Sequence, residues 1–261
     1  MFSVNHIIWT VICTVISIIS IIYIQKTKPS FKTMVNICFA IGIVSEVIKI
    51  FSVIELVPIA GGSGFYPYLE TRYLPLHLCS LQIILFAYLK INKRNNETTY
   101  NIISFMYPCC VIGGLLAIIM PSIFNTSISV DQAFTHPLAY QTFLYHTMLI
   151  VFGIYLLNNN EIRLKTDGYK KALIIIFVLG FIAININSVF TTPVYENNIL
   201  LAVEGTTNFF FTAVPPIPIA ISNKWQWILY ILVIALLAIL LIGILYLPIY
   251  LREKKVYKHQ H

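Results

Sequence analysis

The chain alternates between long apolar stretches and short polar ones. A helix needs about 20 apolar residues to cross the hydrocarbon core of a bilayer. Seven stretches reach or approach that length: 7–24, 34–57, 74–91, 101–123, 139–157, 171–190 and 225–251. They predict an all-α polytopic membrane protein, one domain built as a bundle of seven transmembrane helices. The third and fifth stretches are short, and their ends are expected to rest on interfacial tyrosines such as Tyr73, Tyr88 and Tyr140. The first has no basic segment before it and no small-residue cleavage site after it, so it reads as a true span and not a signal peptide. An eighth apolar stretch, 198–221, contains Glu204, Gly205, Pro215, Pro216 and Pro218. It predicts a short external or re-entrant helix followed by a Pro-rich lid, within 191–224. Irregular backbone at membrane depth is tolerated only where protein or a watery cavity covers it, so this lid should sit over something.

Charge fixes a direction. Lys26, Lys28 and Lys32 follow the first stretch, and Lys90, Lys93 and Arg94 the third. Arg163, Lys165, Lys170 and Lys171 follow the fifth, and Arg252, Lys254, Lys255 and Lys258 the last. Fourteen of the 17 basic residues therefore fall on one side, against Arg72 and Lys224 on the other and Lys49 within a span. The excess of positive charge in cytoplasmic loops then predicts an external N-terminus and a cytoplasmic C-terminus. The net charge of +7 is spent on anionic lipid headgroups, which makes membrane lipid the expected partner and argues against nucleic acid.

Composition narrows the class further. Charged residues make up 10% of the chain, less than half the share in a soluble globular protein, about 25%. Cys13, Cys38, Cys79, Cys109 and Cys110 lie inside apolar stretches without metal-ligand spacing, so buried free thiols are expected and neither metal nor cofactor is implied. The Ile- and Asn-rich composition suits a bacterial plasma membrane. Asn125-Thr-Ser reads as an external sequon.

Ionisable side chains inside a bilayer cost roughly 2.5–3.5 kcal/mol each on insertion scales, and they commonly mark function or a structural ion pair. Here they are Glu46 and Lys49 in the second span, His77 in the third and His146 in the fifth, with Cys79, Ser80, Gln82, Asn185 and Asn187 as polar neighbours. At a rise of about 1.5 Å per residue, His77, Cys79, Asn185, His146, Gln82, Lys49 and Glu46 fall into one slab roughly 5–16 Å below the outer ends of their spans. Helices distant in sequence thus deliver polar groups to one level. Glu46 and Lys49, three apart, can neutralise each other. Cys109–Cys110 with Gly113–Gly114 suggest a small-residue packing surface beside Pro108. On a helix through 74–91, His77 and Cys79 point about 200° apart. A Cys–His pair would then have to form between helices, with His146 the natural base for Cys79 or Ser80.

Leu74-Pro75-Leu76-His77-Leu78-Cys79-Ser80 resembles the hallmark of the bacterial YwaF-type integral membrane family. Two later elements agree: His146 within Phe143-Leu144-Tyr145-His146, and Gly205-Thr206-Thr207-Asn208-Phe209 ahead of Pro215–Pro218 and Trp225–Trp227. At the position of Phe209 that family carries tyrosine. It is similar in turn to a eukaryotic seven-helix family of acyltransferases that remodel ether phospholipids through an intramembrane Cys and His. The resemblance implies His77, Cys79 and His146 as catalytic candidates.

Taken together, the expected function is acyl transfer or lipid hydrolysis on an outer-leaflet phospholipid or acylated substrate. Cys79 or Ser80 would be the nucleophile, His146 the base, and His77 would bond the carbonyl or headgroup. Gln82, Asn185, Asn208, Glu46 and Lys49 are candidate substrate contacts. Two other readings stay open: a small-solute or ion transporter using Glu46, Lys49 and the histidines, and a non-catalytic assembly partner.

Overall fold

The computed structural model describes residues 3–92, 96–196, 199–205, 207–216 and 219–258. Of the positions singled out above, Lys93, Arg94, Thr206 and Pro218 lie outside the described residues, as do the side chains of Asn125, Glu204 and Lys258.

The chain begins with two long helices, α1 (Val4–Thr27) and α2 (Phe31–Val53), capped by the hydroxyls of Ser3 and Ser30, which accept the N–H of His6 and Thr33. A β-hairpin follows, β1 (Glu55–Pro58) with β2 (Phe65–Tyr68), then a 3-10 turn at Thr71–Tyr73 and the short helix α3 (Leu78–Ile91). Next come α4 (Glu97–Ile119), capped by Asn96, a single turn α5 (Ile123–Thr126), and α6 (Pro137–Asn158), which carries proline in its first turn. α7 (Gly168–Val189) leads into a second hairpin, β3 (Thr191–Glu196) with β4 (Ile199–Gly205). A 3-10 turn at Phe209–Phe211 precedes the long final helix α8 (Lys224–Lys258). Six of these helices are long and apolar enough to cross a membrane; α3, at 14 residues, is not.

Several boundaries correct the sequence reading. The second apolar stretch stops being helical at Val53, and its tail belongs to β1. Pro58 and the Gly-rich tip explain the break: Gly61 and Gly64 hold φ of 71° and 122°, which side chains disfavour. The third stretch is helical only from Leu78, because Pro75 restricts the residue before it and lacks an N–H. The re-entrant helix expected within 198–221 is a hairpin and a 3-10 turn instead. Thr191, Thr192, Val194, Tyr195, Ile199 and Val203 are β-branched or aromatic residue types, which favour strands. The two hairpins also qualify the all-α expectation: the protein is mostly helical.

α4 and α6 form the centre of the bundle. They approach closely because each offers a glycine where the other needs room: a Cβ on Gly114 would lie 2.8 Å from the His146 carbonyl, and one on Gly153 would lie 2.5 Å from Val111 Cγ2. α2 and α3 complete the main core through Cys38, Ile83 and Phe86. α8 is tied on by hydroxyls, Tyr246 donating to the Ser104 carbonyl and Tyr107 to that of Leu245. Arg252 donates to the carbonyls of Leu157 and Leu164, closing the end of α6. α1 is held at its start, where Trp9 Nε1 donates to the Ala133 carbonyl and His6 bonds that of Ile118. The outward faces of α1, α7 and α8 are apolar and exposed, including Ile18, Phe181 and Leu236, as a surface solvated by lipid must be. Both hairpins lie at one end of the bundle, and most basic residues at the other.

Candidate functional site

α3 positions the first motif. Its 14 residues span about 21 Å, against about 30 Å of hydrocarbon. If its basic end lies at one surface, its start falls roughly 10 Å short of the other. Cys79 and Ser80 occupy the first turn, and His77 is the cap residue, outside the helix and without a capping bond. The expected opposition of His77 and Cys79 around one helix therefore does not apply. Among the described residues, the N–H groups of Leu78, Cys79 and Ser80 have no acceptor. Such free N–H groups at a helix start are where negative charge is best received.

α4 and α6 bring the second part. Gly113 and Gly114 are adjacent on α4 and face different neighbours. A Cβ on Gly113 would stand 3.3 Å from Cys79 Sγ, while one on Gly114 would stand 2.8 Å from the His146 carbonyl oxygen. The Cys79 thiol and the backbone carbonyl of His146 thus pack against adjacent residues of α4. One residue before His146, Tyr145 donates its hydroxyl to the Cys79 carbonyl at 2.8 Å, which locks α3 to α6 at the same level. In the sequence, Gly113–Gly114 reads as a packing surface and Tyr145 carries no assigned role. A hydroxyl in mid-span beside a histidine was the available signal.

His146 has a defined tautomer. Its Nδ1 lies 2.6 Å from the Thr142 carbonyl. A carbonyl only accepts, so Nδ1 carries the proton and Nε2 keeps its lone pair in the neutral ring. Thr142 also donates through Oγ1 to Gln141, whose amide donates to Ser45 on α2 at 2.7 Å. This partly buried chain, unmarked in the sequence, ties the histidine's turn to the helix that carries Glu46. Among the described residues no hydrogen bond joins Cys79 to His146.

His77 takes a different place from the one expected. Its Nε2 donates to the Arg72 carbonyl at 3.0 Å, and its ring meets Phe209 edge-on at 4.8 Å. In the neutral ring, the one N–H is consumed, so Nδ1 is free to accept and not to donate. His77 cannot hydrogen-bond a substrate carbonyl unless it is protonated. Phe209 is itself clamped by Asn187, which accepts its N–H and donates to its carbonyl, both at 2.9 Å, and donates to Thr212 Oγ1. The late motif thus packs directly on the first. Phe210 and Phe211 follow with φ of 57° and 55°, a conformation unusual for bulky residues that survives where surroundings enforce it.

Glu46 and Lys49 form an ion pair of 2.6 Å, their side chains 19% and 11% exposed. Both lie within electrostatic reach of His77, as does His146. Gln82 is fully buried and already engaged, donating to the Leu78 carbonyl and accepting from the Cys110 thiol. Asn208 is likewise occupied, its side chain bonding the backbone of Ala213 and Val214. Asn185 is not brought to the site: it is exposed and bonds the Phe181 carbonyl of its own helix. Ser80 is half-buried beside Cys79. The five cysteines are free thiols, Cys79 being the one that is not fully buried.

The arrangement is a thiol at a helix start, a tautomer-fixed histidine whose backbone packs on the next glycine of α4, and a second histidine held by an aromatic clamp. No curated protein matches the chain, and no solved structure does. Over residues 1–246 it matches a described family of membrane proteins, and the chain belongs to the TMEM164 family.

Proposed function

We propose that this protein is an intramembrane acyltransferase or lipid hydrolase with Cys79 as nucleophile and His146 as base. The observation that carries this reading is the glycine pair of α4, against which Cys79 Sγ and the His146 backbone pack from two other helices. His146 Nε2 takes the thiol proton while Sγ attacks an ester carbonyl of a membrane lipid. The carbonyl oxygen becomes an oxyanion, received by the free N–H groups at the start of α3. The ester C–O bond breaks, the leaving alkoxide takes the proton from His146, and a thioester remains on Cys79. A hydroxyl of a second lipid, or water, then attacks the thioester. His146 accepts its proton and returns one to the departing thiolate. His77, with Nδ1 free to accept, suits orientation of the attacking hydroxyl. The substrate comes from the leaflet at the hairpin end. The distribution of basic residues supports an outer leaflet with the N-terminus outside, and the Ile- and Asn-rich composition supports a bacterial plasma membrane.

The test uses purified protein in lipid nanodiscs with a thiol-reactive acyl probe. Wild type should label, Cys79→Ala should not, and His146→Ala should label at least about tenfold more slowly, in line with the usual contribution of a general base. Equal labelling of wild type and Cys79→Ala removes Cys79 as the nucleophile.

One observation favours a second reading. The Glu46–Lys49 pair is almost enclosed, and enclosed charges in membranes often serve ion or solute coupling. Flux through proteoliposomes lost in Glu46→Gln but kept in Cys79→Ala would select transport over acyl transfer.

A further inference from the structure

The hairpin of β1 and β2 is built unlike a surface loop. From Leu56 to Leu69 the chain has no charged residue. Glu55 pairs with Tyr68, Leu56 with Pro67, Val57 with Tyr66 and Pro58 with Phe65. Alternation puts Glu55, Val57, Tyr66 and Tyr68 on one face, with the charge at its helix-proximal end, and Leu56, Pro58, Phe65 and Pro67 on the other. Neither face is covered: Leu56, Phe65, Tyr66 and Tyr68 are 48–69% exposed. An isolated two-stranded hairpin is marginal at best in water, and both faces of this one are largely bare.

Covalent continuity says what surrounds it. α2 ends at Val53 and β1 begins at Glu55, so the hairpin starts where a membrane-spanning helix leaves the hydrocarbon. Its open edges set the depth. Unpaired edge N–H and C=O groups are not tolerated in hydrocarbon, where nothing bonds them, and the prolines at 58 and 67 remove only two donors. Tyrosines prefer the headgroup level, with ring in apolar surroundings and hydroxyl wet. Water is too polar for the two faces, and the acyl core too apolar for the edges.

We propose that this hairpin is a membrane-interface anchor, lying in the headgroup region of the leaflet at the hairpin end with aromatic side chains on both faces in contact with lipid. It leads directly into the 3-10 turn whose Arg72 carbonyl holds His77, so the anchor also sets the level of the first motif relative to the bilayer surface. The inference stands whether or not the protein transfers acyl groups.

The test is quenching of a thiol-linked fluorophore in nanodiscs. Phe65→Cys and Tyr66→Cys place it on opposite faces, and Ser63→Cys, a near-isosteric change at the tip, guards against disruption of the strands. The unsubstituted protein supplies the background from native thiols. At all three positions a nitroxide near the lipid ester should quench at least about twofold more than one near the acyl terminus, and aqueous iodide should quench at most about half as well as it does free dye. These thresholds reflect the shallow, partly wet layer that interfacial aromatics occupy. Free-dye quenching by iodide without lipid quenching overturns the anchor, because the hairpin then stands in water. Stronger quenching by the deep nitroxide overturns the assigned depth. Quenching by neither lipid nor iodide overturns it as well, since protein or a second copy then covers the hairpin.

Discussion

Gly113 and Gly114 are chemically identical neighbours with different duties, and substitution separates them. A methyl on Gly114 would sit 2.6 Å from Ile150 Cγ1 and 2.8 Å from the His146 carbonyl. Backbone cannot step aside, so Gly114→Ala should cost about 1–3 kcal/mol through overpacking, read as a lower midpoint of thermal unfolding in detergent. A methyl on Gly113 meets only Cys79 Sγ at 3.3 Å and Leu78 Cδ2 at 3.9 Å. Gly113→Ala should therefore keep nearly the wild-type midpoint while changing the rate at which Cys79 reacts with a thiol probe. If both variants lose stability equally and neither changes that rate, the glycine pair is packing alone. Asn187 makes a comparable prediction. Asn187→Leu strands the buried Phe209 N–H, which costs about 1–3 kcal/mol, and loosens the clamp on His77. Unfolding midpoints should fall, and the aromatic contact with His77 should broaden in an NMR spectrum of a His-labelled sample. At this scale Cys79, His77 and His146 were legible as candidates because polar groups stand out against apolar runs. Tyr145 and Thr142 were not, since their contributions run through one hydroxyl and one backbone carbonyl that no spacing announces.

The long helices were legible as elements because each is a long apolar run ended by a cap or a proline. The hairpins were not. Glu55–Pro58 continues the apolar stretch of α2, and a short apolar run reads equally as helix or strand. Only Pro58 and Gly61–Gly64 mark the change. α3 shows the same difficulty from the other side: Leu74 to Leu76 is as apolar as the helix it precedes, yet Pro75 delays the first turn to Leu78. Its late start, not its composition, gives Cys79 a first-turn position. α7 starts under different forces. Asp167 lies just before it; desolvation raises its carboxyl, but the hydroxyl of Tyr100 at 2.7 Å and the ammonium of Lys171 outweigh that and hold it below the usual carboxylate value. Its contribution to stability is therefore present above the ordinary aspartate range and is lost as pH falls through the depressed value. Because more than half of the side chain is exposed, the effect should stay below about 1 kcal/mol. A pH series of unfolding midpoints should show wild type and Asp167→Asn converging toward pH 3 and separating slightly above pH 5, and no difference at any pH would refute the assignment.

The molecule as a whole has two unlike ends. One gathers most of the basic residues, and its helix termini are joined by short polar links. The other carries both hairpins, the starts of α3 and α6, and the Phe209–Phe211 turn that packs on His77. The proposed thiol–histidine site, at the second end, would work on lipid of one leaflet only, so the direction in which the protein sits would decide which lipids it meets. Positive charge is retained on the cytoplasmic side during insertion, which argues for the hairpin end outside. Replacing Ser222 and Lys255 singly by cysteine tests this directly, since both are exposed and lie at opposite ends of α8. In intact cells a membrane-impermeant maleimide should modify Ser222→Cys and leave Lys255→Cys untouched until the membrane is opened. The native thiols, four of them buried, provide the low background the comparison needs. The reverse pattern would put the site in the cytoplasmic leaflet. The proposed pairing of Cys79 with His146 would survive that result, while the proposed substrate would have to come from the inner lipid pool.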